Sequence, residues 1–144
     1  MADIDGEIKA REVQQMNREI KFRAWDKINN KMCPIAGISF TNKDTWLRIN
    51  DKQIMGANFS EIEIMQYAGL KDKNDKEIYE GDIINIINNS VDEEDGYFIA
   101  KYDIETARYI LSGNGLVYDF DNTYTNECEI IGNIYENPEL LKEV

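Results

Sequence analysis

The stretch Glu80-Gly81-Asp82, followed by Ile83-Ile84-Asn85-Ile86-Ile87, limits the fold of this 144-residue chain more than any other. A glycine between two carboxylates, just ahead of β-branched residues, marks a bend or bulge that a residue with a Cβ tolerates poorly. The isoleucines then fall on both parities, 83 and 87 on one face and 84 and 86 on the other. Such a strand is buried on both sides or wound into a small barrel. Upstream, Leu70 runs into Lys71-Asp72-Lys73-Asn74-Asp75-Lys76, whose Asn-Asp pair suits the left-handed positions of a hairpin turn. Glu80 and Asp82 could in principle act as acid and base, but carboxylates at a strand entry fit turn chemistry better.

Alternation continues elsewhere. In Arg18 to Asp26, Ile20, Phe22 and Ala24 share one face and Lys21, Arg23 and Trp25 the other, which predicts a strand with one basic and aromatic face. Arg23 beside Trp25 suits stacking on a base or gripping a phosphate, and equally suits a strand packed under another part of the protein. An Asn- and Lys-rich turn at 27–31 leads to the apolar Met32 to Ala36, a second hairpin. Ile38, Phe40 and Trp46 to Ile49 predict short strands around a loop, whereas Phe59, Ile62, Ile64 and Met65 fit either helix or strand. The last third predicts a β-meander: Tyr97 to Ile104, Tyr109 to Ser112, the Gly113-Asn114-Gly115 turn, Leu116 to Phe120 and a closing strand from Cys128 to Tyr135. Asn137-Pro138-Glu139-Leu140-Leu141 has the cap, first-turn proline and acid of a short C-terminal helix. The expected fold is β-rich α+β, a small antiparallel β-barrel or meander closed by that helix. The length predicts one domain over 16–144 preceded by a 15-residue arm, with Met16 as an alternative start.

Composition narrows the chemistry. Without histidine there is no His-based triad and no common zinc site, and Cys33 and Cys128 have no CxxC spacing, so both are expected to stay reduced. No basic and apolar leader follows Met1, and no apolar run reaches membrane-spanning length. Residues 1–72 hold 11 acidic and 11 basic side chains, while 73–144 hold 17 and 5, so the net charge of −12 belongs to the second half. Such a surface repels duplex DNA and attracts basic proteins, and it also serves solubility.

Two stretches imitate sites. Asp92-Glu93-Glu94-Asp95-Gly96 lacks the alternate spacing and closing Glu of a calcium loop. Leu116 to Thr123 matches the hhhDxDx[TV] pattern of haloacid-dehalogenase-type phosphotransferases, with Asp119 and Asp121 as its acids. Only 21 residues follow Thr123, Lys142 is the sole lysine among them, and parallel crossovers need a dozen or more residues each. No metal, cofactor or catalytic constellation is expected.

Three blocks in order, Arg18 to Asp26, then Gln66-Tyr67-Ala68-Gly69-Leu70-Lys71-Asp72 leading to Glu77 to Ile83, and Glu129 to Leu140, strongly resemble the YopX family of phage and prophage proteins. The resemblance runs from about Met16 to Leu141. It implies a small β-rich domain in the cytoplasm of a bacterial host, with no established activity or catalytic residues to carry over.

The leading expectation is therefore a non-enzymatic accessory protein that binds a host macromolecule, such as a defence or nucleic-acid-handling protein with a basic surface. Asp92, Glu93, Glu94, Asp95, Asp119 and Asp121 are the candidate acidic surface. Alternatives are a nucleotide-signal or small-ligand binder, and a single-strand nucleic-acid binder, both using Lys21, Arg23, Trp25 and Arg48. Edge strands in a small β domain also invite pairing with a second copy.

Overall fold

A computed structural model describes residues 9–10, 18–86, 97–120 and 125–141. Eleven strands in that range form two antiparallel sheets. The first contains β1 (Phe22–Asp26), β2 (Lys31–Ser39), β3 (Asp44–Asn50), β4 (Gln53–Asn58), β5 (Ile62–Lys71) and β6 (Glu77–Tyr79), in the order β4-β3-β2-β1-β5-β6. The second contains β7 (Asp82–Ile86), β8 (Phe98–Asp103), β9 (Arg108–Gly113), β10 (Leu116–Asp119) and β11 (Cys128–Asn133), in the order β10-β9-β8-β7-β11.

Several turns form where the sequence supplies residues that accept positive φ, whereas Lys43 in the β2–β3 turn and Ala107 in the β8–β9 turn adopt it without that advantage. Asn30 turns β1 into β2, and Asn114 with Gly115 turns β9 into β10 in the manner of a type I′ hairpin. In the β5–β6 turn Asp75 alone, not the expected Asn-Asp pair, is left-handed. Asn74 stays on the ordinary side because its N–H is held by the Asp72 carboxylate, which also accepts the Lys76 N–H. Ile54 to Tyr67, ambiguous between helix and strand, falls in β4 and β5 on either side of a single 3-10 turn, Phe59–Glu61. Asn58 and Glu61 close that turn with a reciprocal capping box.

The described residues form two apolar clusters. Ala24, Cys33, Leu47, Ala57 and Ile62 come from all of β1 to β5 and lie on one face of the first sheet. Ile84, Phe98, Ala100, Leu111 and Cys128 from the second sheet pack with Ile78 of β6, and Ala68 and Leu70 at the end of β5 join them. The first sheet thus builds a core of its own on β1 to β5, while β6 and the end of β5 cover the second sheet. Ile83 and Ile84 are both fully buried, as their opposite parities require.

Two expectations are corrected. The sheets do not close into a barrel. After β6 the Tyr79-to-Asp82 turn carries the chain out of the first sheet and starts the second, so the run of strands is divided at Gly81. The C-terminal segment is a single 3-10 turn, Pro138–Leu141, and not an α-helix. Asn137, expected to cap a helix, instead accepts the Asn133 N–H (3.1 Å) with its side chain. Its carbonyl takes the Leu140 N–H in an i to i+3 bond.

Candidate functional site

Gly81 lies where the two sheets meet. Its φ of 88° is open to glycine and costly for other residues. A Cβ there would press on Met65 Sδ at 3.3 Å and make ordinary contact with Ile134 at 3.6 Å. Its N–H donates to Ala100 O of β8 at 2.8 Å, and its carbonyl accepts the N–H of Ile134, just past the end of β11, at 2.9 Å. Glu80 ties the other side: its N–H donates to Gln66 O at 3.0 Å and its carboxylate accepts the Gln66 N–H at 2.5 Å.

Arg23 reaches this turn from β1. Its guanidinium donates to Asp82 Oδ1 at 2.8 Å and to Glu80 O at 3.2 Å, and stands 4.9 Å from the centre of the Tyr79 ring. Only 14% of the Arg23 side chain is exposed, against 3% for Asp82. The second Asp82 oxygen accepts the Tyr79 N–H at 2.8 Å. Arg23 Nε finds no partner among the described residues. Burial pushes the Asp82 carboxyl above its ordinary value, outweighing the downward pull of Arg23 and of the Tyr79 N–H.

Trp25, one pleat along, stacks on Tyr135 beyond the end of β11, with ring centres 5.7 Å apart and planes 13° from parallel. The same region is locked from below. Asn133 Oδ1 accepts the Tyr135 and Glu136 N–H groups, and a Cβ on Gly132 would collide with the Asn137 amide. Asp72, buried in the β5–β6 turn, accepts the Ile130 N–H while Lys73 N–H donates to Cys128 O. The three sequence blocks therefore converge on one inter-sheet junction.

The four residues of the basic and aromatic face are not brought together as one site. Arg23 and Trp25 are engaged in the junction. Lys21 is exposed and bonds to Glu77 and Glu19, which hold its ammonium well above the ordinary lysine range. Arg48 is exposed on β3, two strands away from β1. Of the acidic candidates, Asp119 is exposed on β10 and ion-paired to Arg108. Asp92, Glu93, Glu94, Asp95 and Asp121 lie outside the described residues, as does most of the N-terminal arm. Asp121 to Thr123, the second part of the phosphotransferase-like stretch, is outside them too.

Sequence reasoning missed a hollow of about 490 Å³ beside Lys21, lined by Ile20, Phe22, Ile38, Phe40 and Tyr79. Phe40 is 73% exposed and Ile20 61%. The signal was there in Phe40, an aromatic placed directly before the polar Thr41 to Asp44 turn. Among the described residues no three potential metal ligands cluster. Cys33 and Cys128 are free and buried in different clusters. Burial, with help from Glu127 and Asp72, pushes the Cys128 thiol up to about 11.

The family model described as YopX protein matches residues 21–142. The chain belongs to the YopX family. The span takes in β1, the Gly81 turn and the Gly132-to-Asn137 turn, so the inter-sheet junction lies within the YopX match. Among solved structures this YopX chain is similar to the crystal structure of protein EF1440 from Enterococcus faecalis. The two are 27% identical with a TM-score of 0.59, over 87% of this chain and 99% of that one. No curated protein matches the chain. No helix among the described residues is long and apolar enough to cross a membrane.

Proposed function

We propose that this YopX protein is a non-enzymatic accessory protein of a phage or prophage. It acts in the cytoplasm of the bacterial host by binding a host macromolecule with a basic surface, in the manner of an inhibitor of a defence or nucleic-acid-handling protein. One observation carries the reading: the cation best placed to hold an anion, Arg23, is directed inward onto Asp82, while the acidic excess belongs to the half of the chain that builds the second sheet. Beside that sheet, Glu105 in the β8–β9 turn and Asp119 on β10 are exposed, Asp119 being paired to Arg108. Opposite charge steers association and makes it sensitive to salt.

The test is capture from host lysate at low and raised salt, beside a variant with Asp92→Asn, Glu93→Gln, Glu94→Gln and Asp95→Asn. A partner retained at low salt, released at raised salt and weakened by the variant supports the reading. Capture that ignores both salt and the variant overturns the acidic surface.

A second reading, a binder of nucleotides or other small ligands, is favoured by the hollow beside Lys21, whose volume and apolar lining with one cation suit a ligand site. Calorimetric titration with mono-, di- and cyclic nucleotides decides it. Heat of binding that disappears in Lys21→Ala supports it, and silence across the panel removes it.

A further inference from the structure

Four strands end the two sheets, and they are not equally guarded. The free side of β11 is covered by the β5–β6 turn, through Lys73 N–H to Cys128 O and Ile130 N–H to Asp72. β6 is three residues long, and β10 is four and ends in the ion-paired Asp119. β4 differs. Gln53-Ile54-Met55-Gly56-Ala57-Asn58 is six residues of edge with no charge and no proline, the two devices that commonly keep an edge from pairing.

We propose that β4 pairs antiparallel with β4 of a second copy about a two-fold axis through Gly56, joining two first sheets into one continuous sheet. Residues opposite one another across such a pair must share a face, and this register satisfies that condition along the strand. Met55 falls opposite Ala57 of the second copy, extending the apolar cluster to which Ala57 belongs and against which Met55 packs. On the other face Ile54, 52% exposed, falls diagonal to Gly56 of the second copy. A hollow of about 330 Å³ lies there, floored by Trp46 and Gly56 and rimmed by the polar Asp44, Asn58 and Glu61, and nothing stands within 4 Å of where a Gly56 Cβ would be. The Trp46 indole leans the other way, against Gly37 of β2, so the hollow is free to receive the isoleucine.

Charge favours the same arrangement. β4 belongs to residues 1–72, with 11 acidic and 11 basic side chains, so the copies meet through the balanced half and not through the half that carries −12. At each end of the pair, the same register brings Lys52 of one copy beside Ser60 and Asp51 beside Glu61 of the other, so the ends add no net attraction.

Sedimentation velocity on the full chain tests the proposal, with Gly56→Lys as the perturbation. The open space at Gly56 and its ordinary φ leave the single-copy fold intact, which circular dichroism and thermal unfolding check directly. The native chain should sediment at twice its 16.7 kDa mass. Gly56→Lys should raise the dissociation constant by roughly a hundredfold or more, because two like charges meet on the axis. In Gly56→Cys, oxidation should link two copies through residue 56 in high yield, since the native thiols are buried. Ile54→Cys should link poorly. A native chain that stays monomeric, a dimer that survives Gly56→Lys, or cross-linking at 54 in preference to 56 each overturns the proposal.

Discussion

Replacing Arg23 by Met, which keeps most of the apolar stem and removes the charge, should destabilise the fold strongly at neutral pH and weakly in acid. The loss leaves the buried Asp82 carboxylate without its cation and Glu80 O without a donor. Breaking a buried pair from one side costs about 3–5 kcal/mol. Asp82 has an escape, which is to take up a proton. An ordinary aspartate near 3.9 stands about three units below pH 7, and at about 1.4 kcal/mol per unit this caps the penalty near about 4 kcal/mol. At pH 5 the same cap falls to about 1.5 kcal/mol. The native Asp82 is already pushed up by burial, so its contribution to stability is complete below its unfolded value and declines as pH rises through the folded one. Arg23→Met makes that decline steeper. Urea unfolding followed by tryptophan fluorescence at pH 5 and pH 7 measures both losses. Adding Asp82→Asn, which keeps an acceptor for the Tyr79 N–H, should restore most of the stability at pH 7. A loss under about 1 kcal/mol at pH 7, or an equal loss at both pH values, would refute the view that Arg23 is buried against Asp82 as a structural tie.

Other expectations follow from the same junction and its surroundings. Gly81→Ala should cost about 1–3 kcal/mol in urea unfolding, from positive φ and contact with Met65, whereas Gly115→Ala, equally left-handed but with open space around it, should cost less. Burial lifts the Asp26 carboxyl, but hydrogen bonds from the Asn29 side chain and from the Asn29 and Ile28 N–H groups overcome this and hold it below its ordinary value. Its contribution is therefore present above the unfolded value and lost as pH falls through the folded one, and Asp26→Asn should flatten the acid limb of a stability-against-pH curve. Both thiols are buried and raised by burial, so a thiol reagent at mildly alkaline pH should label neither in the native protein and both in urea.

How much of this was legible depended on the range of the interactions. Local pattern placed the strands and most turns, because alternation and residues such as Asn30, Asn114 and Gly115 act over a few positions. Gly81 was legible as a bend for the same reason. That it is the passage between two sheets was not, since its bonding partners Ala100 and Ile134 lie far along the chain. Likewise, alternation around Arg23 and Trp25 reports period and polarity but not what covers the polar face. Arg23 meets Asp82 59 residues away. The C-terminal helix failed through competition, because the Asn137 side chain that would cap it bonds back to Asn133. The hollow beside Lys21 needed β1, β2 and Tyr79 of β6 to be assembled before it existed.

The three sequence blocks that carry the YopX resemblance are the ones that hold the two sheets together. Native-state hydrogen exchange tests this most directly, at the amides of Gln66, Glu80, Gly81, Ile130 and Ile134, which cross the junction. They should exchange only through global unfolding, with free energies equal to the value from urea, and fall together in Arg23→Met. Exchange of these amides by local opening well below the global free energy, with Phe98 and Leu111 still protected in the second core, would contradict it.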